Sequence, residues 1–414
     1  MEHVVCDLCG GGDLVEVYCD PGFEIPSALG IRQIDITNVI CRTCGLIFIN
    51  PRLPEAAVRE FYAAQTRPRE VPEGGGVSAL PRGESVRRDQ CERILEEWNS
   101  HAEGRILDIG SFEGYFLSLF KRRGWSCVGV EPAREAVLVA REHYDLEILE
   151  GMFEDFPQLA GVFDVVSVRH VLEHVRQPSH FLHLARKALK PEGLLFIEVP
   201  DASRPRAVEL DDFFSFQHLY NFSPTTLKAM LSREGFEVKV PSQLLPYGAF
   251  RTLAWWRAGR PSQTIEPGNP TEYRRLHGIV REYAQERQSV LDRLKSKIAA
   301  LVDETRGGDA RVAVFGAGFH TRELFRRTNM LEAPIVALVD SDPAKHGSDL
   351  AGLTVQSPSS LAEARPTMVL VSSYAFQDEI SGQLTSLEKE GVRVVRLYGK
   401  VQAYDTFTAD PGVR

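Results

Sequence analysis

The stretch ILDIGSFEGYF at 106–116 decides how this chain folds. Its apolar start predicts a buried strand that ends close to Asp108. Gly110 and Gly114 bracket the turn that follows, where the backbone can approach a ligand without a Cβ in the way. A helix begins after this turn. The stretch therefore predicts a strand, a ligand-binding turn and a helix, in that order.

A second apolar run, CVGVEPA at 127–133, places Glu131 at its end, 23 residues after Asp108. An acid at this point is suited to bind both hydroxyls of a ribose, as in dinucleotide folds. Phe112, however, stands where a diphosphate-binding loop has its second glycine, so the loop has less room for a diphosphate. A nucleoside cofactor without phosphates fits better, and the pattern predicts S-adenosylmethionine (SAM).

Over about residues 84–240 the chain resembles the class I SAM-dependent methyltransferases. The motifs that carry the resemblance occur in the family's order: the DxGxxxG loop, Glu131, GMFEDFP at 151–157, FDVVSVRHVLEHV at 163–175 and LKPEGLLFIEVP at 189–200. The resemblance implies a set of cofactor-binding residues: Asp108, Gly110, Gly114, Glu131, Met152, Phe153 and His170.

Within that set the resemblance assigns different parts of SAM to different residues. It implies that Asp108 and Gly110 lie near the methionine moiety and Glu131 at the ribose. Beside the adenine it implies Met152, with Phe153 and Glu154.

The composition is that of an ordinary globular protein, with 43% hydrophobic and 25% charged residues among 414. A chain of this length is expected to hold two or three domains. The net charge of −9 argues against nucleic acid as a partner. No apolar run reaches the ~18–20 residues of a membrane span, and the start is neither a signal peptide nor an acylation site. We therefore expect a cytoplasmic protein without membrane contact.

Four of the seven cysteines form two CxxC pairs, each followed by glycine: Cys6 and Cys9 in CDLCG, Cys41 and Cys44 in CRTCG. Two such knuckles offer four soft thiolates for tetrahedral Zn²⁺. A site with four protein thiolates has no open position for a substrate, so the pattern predicts a structural zinc.

The pattern of apolar runs predicts an α/β protein with a central doubly wound, Rossmann-like domain, in which helical stretches alternate with short β-branched runs. The predicted division of the chain is a zinc-binding module at 1–64, a flexible loop at 65–83, a SAM-dependent methyltransferase domain at 84–260, a linker and long helix at 261–308, and a second, C-terminal Rossmann-like domain at 309–414. The long helix either packs within the chain or dimerises it, so a monomer and a homodimer are both open.

The C-terminal unit begins with RVAVFGAGFHTRELF at 311–325. Gly316 and Gly318 form its turn, and Asp340 follows 24 residues after Gly316. One alternative is that a nucleotide diphosphate lies on the helix start after Gly318. The other is a degenerate Rossmann domain that binds nothing by itself.

The segment RHVLEHV contains His170, Glu173 and His174. In isolation HxxEH is the inverted zinc-protease motif. That interpretation is rejected, because the segment follows a strand inside a SAM fold and no third ligand is evident. By the family resemblance His170 lines the cofactor cleft, Glu173 caps or pairs structurally, and His174 faces the acceptor.

A second cluster, DDFFSFQHLYNFSPTTL at 211–227, follows the fifth strand, where these enzymes insert an acceptor-binding segment. His218 is the candidate general base here, with His174 and Tyr220 as further candidate catalytic groups. The alternative is that His218 only anchors the loop ahead of the helix that begins near Ser223.

The order of modules resembles the three-domain sugar C-methyltransferases, which act on nucleotide-linked keto-deoxysugars. In that family a Tyr-x-Glu-His segment supplies the base that enolises a 4-keto sugar, and the carbanion then takes the methyl group. His218 matches its histidine, but Ser215 and Gln217 replace the tyrosine and the glutamate. The resemblance implies C-methylation of a nucleotide sugar, and O- or N-methylation of a sugar or another small molecule is the alternative.

Two further alternatives come from other parts of the chain. The C-terminal fingerprint could serve an NAD-dependent sugar oxidoreductase or epimerase, although no YxxxK motif accompanies it. The zinc module and the long helix could instead make the chain a non-catalytic scaffold.

Overall fold

The computed structural model describes residues 1–24, 33–56, 84–98, 103–207, 210, 213–239, 242–246, 248–257, 259, 270–306, 308–373 and 376–398. The flexible loop predicted at 65–83 lies outside these residues. The chain divides into two compact units. The first unit comprises Met1–Pro205 and Phe214–Glu282, and the second comprises Arg206–Phe213 and the chain from Tyr283 onward.

A four-stranded antiparallel sheet begins the first unit. Its strands, in the order of the sheet, are β1 (Leu14–Glu24), β2 (Gln33–Cys41), β3 (Ile47–Ile49) and β9 (Tyr220–Asn221). The last strand comes from a part of the chain about 170 residues further on, so the N-terminal module and the following domain share one sheet.

The second sheet of this unit carries the loop that the sequence singles out. Five parallel strands stand in the order β8-β7-β4-β5-β6, and β12 and β10 extend the β8 edge in antiparallel pairing. Their bounds are β4 (Arg105–Ile109), β5 (Ser126–Glu131), β6 (Glu147–Glu150), β7 (Phe163–Arg169), β8 (Leu189–Pro200), β10 (Phe236–Glu237), β12 (Ala249–Trp256) and, paired to β12, β11 (Gln243–Leu244). The predicted doubly wound α/β fold is confirmed.

Helices cover both faces of this sheet: α1 (Glu84–Trp98), α2 (Tyr115–Lys121), α3 (Arg134–Tyr144), α4 (Pro178–Ala188) and α5 (Pro224–Arg233). Successive residues of β4 enter different cores, because side chains alternate across a strand. Ile106 packs in the core that contains Phe116 of α2, and Leu107 packs in the core that contains Phe181 of α4. A strand buried on both faces is typical of a parallel sheet.

The second unit holds a six-stranded sheet in the order β15-β16-β14-β13-β17-β18, parallel except for β15. Its strands are β13 (Val312–Phe315), β14 (Ile335–Val339), β15 (Asp349–Leu350), β16 (Leu353–Gln356), β17 (Met368–Val371) and β18 (Arg393–Arg396), with helices α7 (Phe319–Arg327), α8 (Leu361–Ala364), α9 (Gln377–Gln383) and α10 (Thr385–Lys389). This sheet is the second Rossmann-like domain that the sequence predicts.

The long helix α6 runs over Pro270–Glu304. The apolar residues that recur at helical spacing along it are buried: Leu276, Val280, Tyr283, Val290, Leu291, Leu294, Ile298 and Leu301. This burial favours a packing role for these residues. No described helix is both long enough and apolar enough to span a membrane.

Candidate cofactor cleft and cysteine centre

The turn after β4 adopts the conformation that its glycines allow. Gly110 has φ 76° and Gly114, which caps α2, has φ 79°. A Cβ on Gly110 would lie 2.4 Å from Cγ2 of Val171, so a larger residue does not fit there. Phe112 also has a positive φ of 49°, an uncommon conformation for a bulky residue. Phe112 is therefore the strained residue of this turn, whereas the two glycines adopt their positive φ values at little steric cost.

Glu131 is the residue that holds this turn. Its carboxylate accepts hydrogen bonds from the backbone amides of Phe112 and Ala133, both at 2.9 Å. Burial raises the pKa of Glu131, and the two amides oppose that rise. Each carboxylate oxygen has two lone pairs, so each can accept one more hydrogen bond from a ligand. The predicted ribose acid is thus oriented by the loop itself.

Asp108 lies beneath the turn and is fully buried. Its Oδ2 accepts from Nη2 of Arg169 at 2.8 Å, and that guanidinium lies 3.9 Å from the ring centroid of Phe116. Burial raises the pKa of Asp108 above its usual value, and the nearby Arg169 offsets only part of that rise. The sequence motif did not reveal this ion pair, which links the ends of β4 and β7.

Two of the three residues predicted beside the adenine, Met152 and Phe153, differ in their exposure. Phe153 is buried and packs edge-on against Phe181, with ring centroids 5.3 Å apart. Met152 remains partly exposed, and its amide donates to Asp155 at 3.1 Å. Gly151, just before it, donates its amide to the carbonyl of Glu131 at 3.0 Å. This segment therefore lies beside the predicted ribose acid, with Met152 the more accessible of the two side chains.

His170 directly follows β7 and has φ 52°. Its Nδ1 lies 3.4 Å from Oε1 of Glu173, and its Nε2 lies 3.3 Å from Oε1 of Glu198. Burial disfavours a charged imidazole, but the two carboxylates outweigh it and raise the pKa of His170 to about 10. The ring is therefore a cation at neutral pH, held between two acids.

Glu198, on β8, is the second acid beside His170 and is fully buried. Its Oε2 accepts from Nε2 of Gln90 at 2.9 Å and from Nε of Arg251 at 2.5 Å. Burial would raise the pKa of Glu198, but His170 and Arg251 outweigh it and lower that pKa to about 2.

His174 and His218 come together although 44 positions separate them. Their rings meet edge to face with centroids 5.0 Å apart. Nδ1 of His174 lies 2.9 Å from the carbonyl oxygen of Gln217, and Nε2 lies 3.8 Å from Oε1 of Glu173. His218 therefore lies next to Glu173 and His174 of the HxxEH segment. The sequence did not reveal this proximity.

Tyr220 does not join this pair. It is 2% exposed, its hydroxyl donates to the carbonyl of Arg176 at 3.3 Å, and Nη1 of Arg52 lies 3.4 Å from the same oxygen. Its ring stacks on Phe48, with centroids 5.7 Å apart. This placement argues against the catalytic role predicted for Tyr220 and gives it a packing role beside Phe48 of β3.

The four CxxC cysteines form a compact cluster, with all Sγ atoms within 4.8 Å of one another. Two of the separations are 3.5 Å, between Cys6 and Cys44 and between Cys9 and Cys41. Four thiolates around Zn²⁺ at about 2.3 Å would stand roughly 3.8 Å apart, so these sulfurs fit the ion. Cys19 lies apart from the cluster and accepts a hydrogen bond from Thr37.

The first cysteine knuckle is attached to the helices of the neighbouring sheet. Asp7 accepts from the amide and the hydroxyl of Ser179 at 2.7 and 2.9 Å. Arg233 donates to the carbonyl oxygens of Asp7 and Leu8 at 2.6 and 2.8 Å. The cysteine cluster is thus docked directly on helices α4 and α5.

In the second unit, Asp340 repeats the arrangement of Glu131. It accepts from the amides of Ala317 and Asp342, at 2.7 and 2.9 Å. In addition, Nζ of Lys345 donates to it at 2.9 Å. Burial would raise the pKa of Asp340, but these donors outweigh it and lower that pKa. A ribose would have to compete with Lys345 for this acid.

Comparison with known families gives two matches. Residues 83–239 match the methyltransferase domain, and residues 261–397 match the C-methyltransferase C-terminal domain.

Among curated proteins, the chain is 35% identical over 130 residues to the mitochondrial ubiquinone biosynthesis O-methyltransferase of Schizosaccharomyces pombe, covering 30% of this chain and 47% of that protein. It is 26% identical over 243 residues to the mouse protein of the same description, covering 52% of this chain and 62% of the relative. The chain therefore spans less than two thirds of the length of these relatives.

Two solved structures resemble parts of this chain, with low sequence identity and low TM-scores. A SAM-dependent methyltransferase from Aquifex aeolicus is 17% identical with a TM-score of 0.34, over 40% of this chain and 89% of the other. The 1,6-didemethyltoxoflavin-N1-methyltransferase of Burkholderia thailandensis is 19% identical with a TM-score of 0.36, over 51% and 96%. These likenesses add nothing to the family matches.

The fold, the glycine turn with its acid, and the family match define the class of this domain: residues 83–239 form a methyltransferase domain of the class I SAM-dependent type. The second match adds a C-terminal domain of the C-methyltransferase kind at residues 261–397, after the methyltransferase domain, in the order that the sequence predicts.

Proposed function

We propose that this enzyme methylates a carbon of a nucleotide-linked keto-deoxysugar, with His218 as the general base. The observation that carries the proposal is the histidine pair at the carboxyl edge of the sheet. His174 follows β7, whose neighbour β4 ends in the glycine turn, so the pair stands on the cofactor side of the domain. Ligands of doubly wound folds bind at that edge.

SAM, when bound, supplies an electrophilic methyl group on a sulfonium. Glu131 would hold the ribose, with Gly110 and Gly114 giving the backbone its close approach and Asp108 ordering the strand end below the methionine moiety. Met152 and Phe153 would border the adenine, and His170 would line the cleft. These side chains contribute mainly proximity and orientation.

The base acts on the acceptor. His218 would take a proton from the carbon next to the keto group, and the electron pair of that C–H bond would move into the enolate. The carbon then becomes the nucleophile, and the proton stays on the imidazole until solvent removes it. His174 would lie against the same acceptor and help to order it.

The four cysteines would hold a structural Zn²⁺. The ion would join the two knuckles, and Cys44 is followed closely by β3, which pairs with β9 beyond His218. Ile49 donates its amide to the carbonyl of Leu219 at 2.9 Å, one residue from the proposed base. The zinc would therefore support the segment that carries His218.

A second candidate is O- or N-methylation of a sugar or another small molecule. Ser215 and Gln217 favour it, because the tyrosine and glutamate that would assist enolisation are absent. The curated relatives that match part of the chain are named O-methyltransferases. The oxidoreductase alternative is less well supported, because Lys345 already pairs with Asp340.

The proposal is tested with a nucleotide-linked 4-keto-deoxysugar and SAM that carries a ¹³C-methyl group. Mass spectrometry and NMR of the product would locate the new methyl group. We expect a new C–CH₃ bond next to the keto carbon, and His218→Ala should lower turnover at least 100-fold without weakening S-adenosylhomocysteine binding. His143→Ala, on an exposed position of α3, is the matched control and should leave turnover unchanged. Methylation at oxygen would replace the first proposal by the second, and full activity of His218→Ala would refute the base assignment.

A further inference from the structure

Glu173 is a buried acid at the centre of three imidazoles. The residue is 1% exposed, and within the described part of the chain neither carboxylate oxygen has a hydrogen-bond partner. His170 Nδ1 stands 3.4 Å and His174 Nε2 3.8 Å from its Oε1. A ring nitrogen of His218 also lies within 4.8 Å of a carboxylate oxygen.

A carboxylate in such a position needs nearby positive charge, because burial of an isolated charge is costly. His170 supplies one positive charge, and it is shared with Glu198 on β8, which Arg251 of β12 also neutralises. Burial would raise the pKa of Glu173, but the imidazoles, His170 first, outweigh it and lower that pKa. Glu173 is therefore an anion at neutral pH that faces His174 and His218 as well.

The contacts of His174 define how it can respond to this anion. Its Nδ1 lies 2.9 Å from the carbonyl oxygen of Gln217 and must carry the hydrogen, because a carbonyl only accepts. Its Nε2 is therefore the atom that faces Glu173 and can take up a proton there. A proton on Nε2 of His174 is thus stabilised by the carboxylate of Glu173.

The same three residues could hold a divalent cation, since a ligand atom of each lies within 4.8 Å of the others. Such an ion would bind the deprotonated imidazoles, so the metal content of wild type and Glu173→Gln distinguishes this alternative from a role in proton stabilisation.

We propose that Glu173 is the positioning residue of the histidine pair: it orients His174 and His218 and stabilises the proton that the pair takes from the acceptor. Glu173 thereby supplies, from the segment after β7, the carboxylate that is missing at Gln217. The inference rests on the proposed function, because it gives the proposed base its counter-charge.

The test compares Glu173→Gln with wild type in two independent measurements. The first follows the ring nitrogens of ¹⁵N-histidine-labelled protein by NMR between pH 5 and 9, with His174→Ala and His218→Ala to assign the pair. Protonation of the pair should move to lower pH in Glu173→Gln, because the nearby carboxylate charge is lost. An unchanged titration overturns the proposal, whether or not the sugar is a substrate.

The second measurement is the pH profile of turnover with the nucleotide-linked 4-keto-deoxysugar. The acidic limb of kcat should move in the same direction, and kcat at pH 7 should fall about tenfold or more, while S-adenosylhomocysteine affinity stays unchanged. Glu173→Asp should recover part of the activity, and Glu142→Gln, exposed on α3, is the matched control. Lack of turnover by wild type would count against the proposed function alone, since the NMR titration still decides the role of Glu173.

Metal analysis tests the alternative that Glu173, His174 and His218 bind a divalent cation. One equivalent of zinc per chain in both wild type and Glu173→Gln supports the proposal, because the cysteine cluster accounts for it. A second equivalent of any divalent metal that is lost in Glu173→Gln would overturn it and make the cluster a metal site. Glu173→Asp carries the same test if the glutamine variant does not fold.

Discussion

Replacement of Glu131 by alanine should weaken the binding of S-adenosylhomocysteine far more than any other single change in the cleft. The carboxylate accepts the amides of Phe112 and Ala133 and keeps one lone pair on each oxygen for a ligand. Two ribose hydroxyls can use those lone pairs. Hydrogen bonds to a charged group contribute about 1.5–3 kcal/mol each, and part of this is lost on desolvation.

A net loss of about 2–3 kcal/mol is therefore expected, which corresponds to a roughly 30- to 150-fold weaker Kd. The turn also loses its anchor, because the amide of Phe112 no longer has the carboxylate as its acceptor. Glu131→Gln keeps one acceptor oxygen, so its affinity should lie between those of wild type and Glu131→Ala. Isothermal titration calorimetry with S-adenosylhomocysteine at pH 7.5 measures all three proteins.

The chain provides its own control in the second unit. Asp340 holds a glycine turn in the same way, so Asp340→Ala removes an equivalent acid at a site that is not expected to bind SAM. A Kd for Glu131→Ala within threefold of wild type would refute the reasoning, as would an equal loss in Asp340→Ala.

The acidity of Glu131 adds a pH dependence to the same experiment. Ribose hydroxyls donate to the ionised carboxylate, and burial raises the pKa of Glu131. Affinity should therefore be highest at neutral pH and begin to fall at a higher pH than for an exposed glutamate. Glu131→Gln should show no such fall over that range.

Three further outcomes are expected. Gly110→Ala should lower the free energy of unfolding by about 1–3 kcal/mol in urea titrations, because its Cβ would lie 2.4 Å from Val171 at φ 76°; Gly12→Ala, with no heavy atom within 4 Å, should not, and equal effects would contradict the argument. Cys44→Ser should abolish zinc retention in metal analysis and lower turnover more than cofactor affinity; retention of zinc would disprove the assignment. The pKa of His170 is raised from 6.5 to about 10, so its stabilising contribution is complete below pH 6.5 and is lost as pH rises through 10. The difference in unfolding free energy between wild type and His170→Gln should shrink over that interval, and a constant difference would contradict the charge assignment.

The position of Tyr220 could not be predicted from the sequence. Its place among aromatics and near His218 suggested a catalytic hydroxyl, yet its strand completes the N-terminal sheet and buries the side chain against Phe48. The pairing partners Phe48 and Tyr220 are 172 positions apart, and the local sequence pattern of neither segment predicts that the two pair. Long-range pairing of this kind follows from the packing of whole domains.

Other parts of the site were evident in the sequence because they depend on local chemistry. A glycine turn between a strand and a helix, with an acid at the end of the next strand, requires particular residues at particular spacings, and both Rossmann-like units satisfy them. Paired CxxC knuckles are equally local, since each knuckle forms from five residues. In the structure these features lie where the spacing predicts.

The sequence by itself determined the order of strands and helices, the class of cofactor and the grouping of the four cysteines, because periodicity and turn chemistry act over a few residues. Only the tertiary structure decided which side chains meet at the cleft. Glu173 and His174 stand beside His218 because β7 and the segment before β9 reach the same edge of the sheet. The charge of each group there is determined by its neighbours in space, and those neighbours come from distant strands: Glu198 from β8 and Arg251 from β12.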